Sequence, residues 1–138
     1  MLPDVTPTVD GLVERAASLA NTLHRLDADV SGSSLGALDE RIAHAERDAR
    51  GSEVDRRLAL LRRQRATLHD LHERRRTLLE QMESASLTLQ NLKLDLLKLR
   101  SAGVGSALQD VTSATREARA LSRDIEHLLD AADDVRKL

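Results

Sequence analysis

The sequence contains no Phe, Tyr, Trp or Cys. Aromatic side chains normally supply the largest buried surfaces of a globular core. Their absence argues against a thick globule and for thin seams between paired helices, which Leu, Ala, Val and Ile can fill. Without cysteine there is no disulfide, zinc–thiolate site or thiol nucleophile. The lack of cysteine also fits a reducing compartment, so a cytoplasmic location is expected. No apolar run approaches the roughly 20 residues needed to span a bilayer. The start, Met1-Leu2-Pro3-Asp4, lacks the basic opening and apolar stretch of a signal peptide. The formal net charge is -2 over 138 residues, so nothing global draws the chain towards nucleic acid or membrane.

What is present is helical text. Charged residues make up 32% of the chain and the rest is rich in Leu and Ala, a mixture expected of long helices and coiled coils. Both prolines, Pro3 and Pro7, fall in residues 1–7, which read as an extended lead-in. Thr8 or Asp10 is then the expected cap of a first helix over about 8–30. Its apolar positions Val9, Leu12, Ala16, Leu19, Leu23, Leu26 and Val30 alternate steps of three and four, a heptad seam. Ser31-Gly32-Ser33-Ser34 breaks it, and a serine there can cap the next helix. This second helix, about 35–50, carries Leu35, Leu38, Ile42, Ala45 and Ala49 in the same rhythm.

Gly51-Ser52 leaves two courses open. The chain turns there and gives a four-helix bundle with uneven helices, or it runs on into a third helix with a local irregularity. That third helix, about 53–100, would extend roughly 70 Å at 1.5 Å per residue. Its seam shifts between Leu68 and Leu71, where a step of three replaces a step of four. Arg65 and Arg75 stand at seam positions, so thin packing is expected around them. Ser101-Ala102-Gly103-Val104-Gly105-Ser106 is the strongest turn signal. It predicts an antiparallel hairpin with a fourth helix over about 104–138, whose seam runs Leu108, Val111, Thr115, Ala118, Leu121, Ile125, Leu128, Ala132, Val135 and Leu138. The expected fold class is all-α: an antiparallel coiled coil or elongated bundle of three to four helices, one of them very long, forming a single domain over 1–138.

One segment is apolar on two faces. In Leu87-Thr88-Leu89-Gln90-Asn91-Leu92-Lys93-Leu94-Asp95-Leu96-Leu97-Lys98-Leu99, the residues Leu89, Leu92, Leu96 and Leu99 share one face of a helix. Leu87 and Leu94 lie nearly opposite. A helix with two apolar faces needs two neighbours. One is expected to be the fourth helix, and the other the first or second helix, or a second chain. Leu87, Leu94 and Leu97 are therefore the candidate interaction face.

Eight arginines crowd the first half of the long helix: Arg56, Arg57, Arg62, Arg63, Arg65, Arg74, Arg75 and Arg76. They could form a stripe for phosphates or another polyanion. They could equally be a solvated face paired with acidic neighbours, which also accounts for the acidic excess in the flanking segments. The absence of aromatics removes base stacking and disfavours a nucleic-acid role. His69 and His72 are three apart beside Asp70 and Glu73, a spacing that could hold the edge of a metal site. They do not form the His-Glu-x-x-His of zinc proteases. Asp124 and His127 match the Glu-x-x-His of di-iron bundles only loosely. Ordinary surface histidines are the expectation, with no metal and no cofactor. Gly103 and Gly105 lack the Lys-Ser/Thr of a phosphate loop. No carboxylate pair is set among apolar residues for acid–base work. The helices carry neither the bulky aromatic face nor the Lys-rich flanks of membrane-surface helices.

The run from Glu83 through the leucine-rich segment to Val104 resembles the helical region outside the catalytic domain of bacterial serine/threonine protein kinases. The stretch from Asp110 to Ile125 adds to the likeness, and Leu2-Pro3-Asp4-Val5-Thr6-Pro7 is similar to a linker entering that region. No kinase-domain motif accompanies it: there is no Gly-rich loop, His-Arg-Asp or Asp-Phe-Gly. The resemblance implies a non-catalytic module beside a kinase, one that oligomerises it or presents partners to it, and it carries over no catalytic residue. The functional expectation is thus a structural or interaction module and not an enzyme. Its partner would be another protein or a second copy in a homodimer. Polyanion binding through the arginines is the alternative.

Overall fold

The computed structural model describes residues 4–102 and 105–136, without the side chains of 102–107 and 132–136. The described residues form four α-helices: α1 Thr6–Val30, α2 Leu35–Arg47, α3 Ser52–Ala102 and α4 Gly105–Arg136. The protein is an all-α helical bundle. Gly103 and Val104 of the expected turn and Leu138 of the expected seam lie outside the described residues, as do the side chains of Ala132 and Val135.

The helix ends follow local chemistry. α1 starts earlier than Thr8 because Asp4 reaches the orphan donors first: the Thr6 N–H donates to Asp4 Oδ1 at 3.0 Å, as a capping carboxylate does. Pro7 sits in the first turn, where its missing N–H is not needed. Thr8, one of the two expected caps, instead lies inside α1 and is buried, and Asp10 is also within the helix. After α1, Gly32 adopts a φ of 82°, a left-handed conformation that suits glycine. Ser34 caps α2, its side chain accepting from the Ala37 N–H at 3.3 Å. α2 stops at Arg47, short of the expected residue 50, with the Asp48 N–H bonded to the Ala45 carbonyl at 3.2 Å.

By its packing the chain divides into two units, Met1–Leu23 with Leu78–Leu138, and His24–Thr77. In the first unit the start of α1, the second half of α3 and α4 pack together. Buried positions recur every seven residues: Leu12 and Leu19 on α1, Leu78, Ala85, Leu92 and Leu99 on α3, and Val111, Ala118 and Ile125 on α4. A repeat of seven keeps one edge of each helix facing its neighbours. The ion pair of Lys98 with Asp110, 3.1 Å, straddles the connection between α3 and α4. That contact and the cluster of Leu92, Leu99, Val111 and Ala114 make α4 antiparallel to α3, as the turn signal predicts. Arg119 Nε donates to Thr8 Oγ1 at 3.2 Å. Arg15 pairs with Glu126 at 3.4 Å. One heptad forward on α1 is one heptad forward on α4, so those two helices are parallel.

In the second unit the chain does turn before α3, but α2 then packs antiparallel on the first half of α3. Ala45, Leu58 and Leu61 form its core, with Leu38, Ile42 and Val54 against them. The last turns of α1 and all of α2 run in the same direction along α3: Asp27 is bonded to Arg75, and Asp39 to Arg65. The break at Ser31–Ser34 is thus a joint and not a reversal. Of the two courses left open at Gly51, the chain takes the turn, giving four helices of uneven length, and not a helix continuous from α2 into α3.

Candidate interaction surface

The packed core fixes which face of α3 is covered. In the first unit α1 and α4 take the side marked by Leu78, Ala85, Leu92 and Leu99. The opposite side carries the predicted candidate residues, and all three are open: Leu87 is 52% exposed, Leu94 61% and Leu97 48%. Leu87 and Leu94 are more than half exposed, so the helix expected to cover them from within the unit is not found there. Leu79 is partly exposed on the same side. Leu97 also edges a groove with Val9, Leu92, Leu96 and Arg100.

These leucines belong to a second heptad stripe. Glu83, Leu87, Gln90, Leu94, Leu97 and Ser101 follow steps of four and three in strict alternation, and the three leucines, Glu83 and Ser101 are exposed. α3 thus bears one seam turned inward and one turned outward. An exposed leucine that became fully buried would gain about 1.5–3 kcal/mol relative to staying in water. Grouped on one side of a helix, they make a candidate contact surface, which a scattered surface leucine does not.

The arginines stand differently. Arg57 pairs with Asp48 at 3.9 Å, Arg62 with Glu46 at 3.1 Å and Arg76 with Glu73 at 3.7 Å. Arg65 is bonded to Asp39, and Arg75 to Asp27. The solvated, paired face thus describes five of the eight. Arg65 and Arg75, at seam positions, meet carboxylates of α2 and α1 there. Hydrogen bonding to Asp39, and then its charge, hold the Arg65 guanidinium above its ordinary pKa against a small desolvation effect. That contribution is present below the unfolded-state pKa and is lost only as pH climbs through the raised value, far above physiological pH. Among the described residues, Arg56, Arg63 and Arg74 carry no ion pair.

Leu60, 56% exposed, is a surface residue that the seam reading passed over. It stands two residues from Leu58 and so falls off the stripe that buries Leu58 and Leu61. With Leu38, Arg41, Arg63, Leu68 and Leu71 it lines a groove of about 510 Å³ between α2 and α3. Its position relative to the 58/61 pair was the available signal.

His69, Asp124 and His127 are surface residues of their helices and His72 is half-buried. Among the described residues no group of three or more His, Cys, Asp or Glu side chains is placed to hold a metal ion. Nor is any described helix long and apolar enough to cross a membrane. Comparison with known protein families, with characterised proteins and with solved structures finds no match to this chain.

Proposed function

We propose that this chain is a non-catalytic interaction module that associates with itself or docks a partner helix through the outward leucine stripe of α3. The observation that supports this reading is the exposure of Leu87, Leu94 and Leu97 on a strict heptad register, opposite a seam already filled by the chain's own helices. Helices with such a stripe are recognised by other helices through anchors three and four residues apart. Placing the module beside a kinase catalytic domain, as a regulatory or scaffolding region, rests on the resemblance of 83–104 and 110–125 alone. Replacing Leu94 with Glu is expected to abolish association, followed as co-elution of differently tagged copies and of any bound partner, while helicity stays unchanged. Association that survives the charge would remove the stripe as the contact.

A second reading keeps one specific observation. Arg56, Arg63 and Arg74, the members of the arginine cluster without ion pairs, are seven and eleven residues apart and so share one face of α3. Polyanion binding there predicts a steep salt dependence with duplex DNA. Absence of binding at low salt would end it.

A further inference from the structure

The seam between α2 and α3 has two flanks, and their charges differ. On one flank Arg62 pairs with Glu46 and Arg65 with Asp39, so cations of α3 meet carboxylates of α2. The other flank opens into the groove of about 510 Å³, whose apolar lining includes Leu38, Leu60, Leu68 and Leu71. Its charged residues are Arg41 from α2 and Arg63 from α3. No carboxylate lines it: Asp39 is held by Arg65, and Glu40 and Asp70 stand outside it. Among the described residues neither Arg41 nor Arg63 forms an ion pair. At one end the groove meets Ser33, Ser34 and the first turn of α2, where a helix carries partial positive charge. All of its lining belongs to the second unit.

We infer that this groove docks an acidic amphipathic helix of another protein, whose apolar side chains cover Leu60 and its neighbours and whose carboxylates meet Arg41 and Arg63. It is a second surface, in the other unit from the outward stripe, and it takes a different partner. Like charges on both walls do not hold α2 to α3, but they complement an anionic occupant. Arg56 and Arg74, on the same face of α3 as Arg63, extend the positive border along the helix in both directions. A nucleic-acid duplex would answer the arginines and leave Leu60, 56% exposed, in water. An uncharged apolar helix would cover Leu60 and leave two guanidinium groups desolvated without counter-charge, which is costly. An occupant with both chemistries meets both needs. The form of the groove points to a helix. It lies open between two antiparallel helices, and a third helix enters such a groove with anchors three and four residues apart. A small-molecule pocket instead buries most of its ligand, which argues against a free anionic amphiphile.

The probe is a designed, fluorescein-labelled peptide with leucines at steps of three and four on one face and glutamates on either side of them. The full chain is titrated into it and binding is read by anisotropy. A second peptide has lysine for every glutamate, and a third keeps the acidic composition with the leucine register scrambled. The acidic peptide is expected to bind, and the other two are not. Leu60→Glu, or Arg41→Glu with Arg63→Glu, should weaken its binding by about tenfold or more. These are exposed positions, and circular dichroism checks that the variants stay helical. The double variant should instead bind the lysine peptide, a gain that unfolding could not produce. Leu94→Glu should bind the acidic peptide as the native chain does, so failure of the outward stripe and failure of the groove are told apart. No binding of the acidic peptide at millimolar concentration, or equal binding of the scrambled one, would overturn the inference. Binding lost in Leu94→Glu and kept in the groove variants would move the contact to the stripe and also overturn it. Duplex DNA or dodecanoate bound in place of the peptide, and released in the double variant, would overturn it in favour of a polyanion or a small amphiphile. Loss of self-association in Leu60→Glu would overturn it in favour of a second copy.

Discussion

Arg75 on α3 is hydrogen-bonded through Nε to Asp27 in the last turns of α1, 48 residues away in sequence. The Arg65–Asp39 pair lies further along the same line. Moving forward from Asp27 to Asp39 moves back along α3 from Arg75 to Arg65, and this is what shows the joint after α1 not to be a reversal. Both members of the Arg75–Asp27 pair are about two-fifths exposed. Solvent and salt screen such a pair, and exposed pairs couple by only about 0.2–1 kcal/mol. A double-mutant cycle with Arg75→Ala and Asp27→Ala in urea denaturation should return a coupling in that range, shrinking in high salt. The pair sets where α1 lies on α3 more than it holds it there.

Stability rests on the inward seam. Leu58→Ala or Leu92→Ala, at positions 1% exposed, should cost about 2–5 kcal/mol by lost burial and the cavity left behind. Leu94→Ala removes the same atoms from the outward stripe and should change the monomer's stability by no more than about 0.5 kcal/mol. Urea titrations followed by circular dichroism at low protein concentration make the comparison. Equal losses at Leu92 and Leu94 would contradict the assignment of the two faces.

The joint between α1 and α2 depends on two residues. Ser34→Ala removes the side-chain acceptor of the Ala37 N–H and should cost about 1 kcal/mol. At Gly32, an added Cβ meets nothing within 4 Å, so Gly32→Ala should cost about 1 kcal/mol through the positive φ alone, with no clash. Hydrogen exchange should show the added opening first in α2, whose 13 residues are short for an independent helix.

The parts of the fold legible in the sequence are those set by spacing along one helix. Leu12 and Leu19, Leu92 and Leu99, and Val111, Ala118 and Ile125 all stand in the predicted seams and are all buried. The exposed leucines were legible for the same reason, since a helix apolar on opposite sides cannot bury both against one neighbour. What depends on two helices meeting was not legible. Gly51 permits a turn or an irregularity, and only the register of Ala45 against Leu58 and Leu61 decides between them. Arg65 and Arg75 could be marked as poor seam residues, but Asp39 and Asp27 could not be named as their partners. Thr8 fits a cap by type, yet Asp4 caps first and Thr8 is left inside the bundle with Arg119.

The outward face of α3, on this reading, joins one molecule to another. Sedimentation equilibrium over a wide concentration range tests that most directly, on the native chain and on the Leu94→Glu and Leu60→Glu variants. Leu60 serves as the control, because it is comparably exposed but belongs to the other unit. The expected result is a mass that rises above the 15.2 kDa monomer for the native chain and for Leu60→Glu, and a monomer throughout for Leu94→Glu. A Leu94→Glu chain that associates as the native one does, or a loss confined to Leu60→Glu, would contradict it.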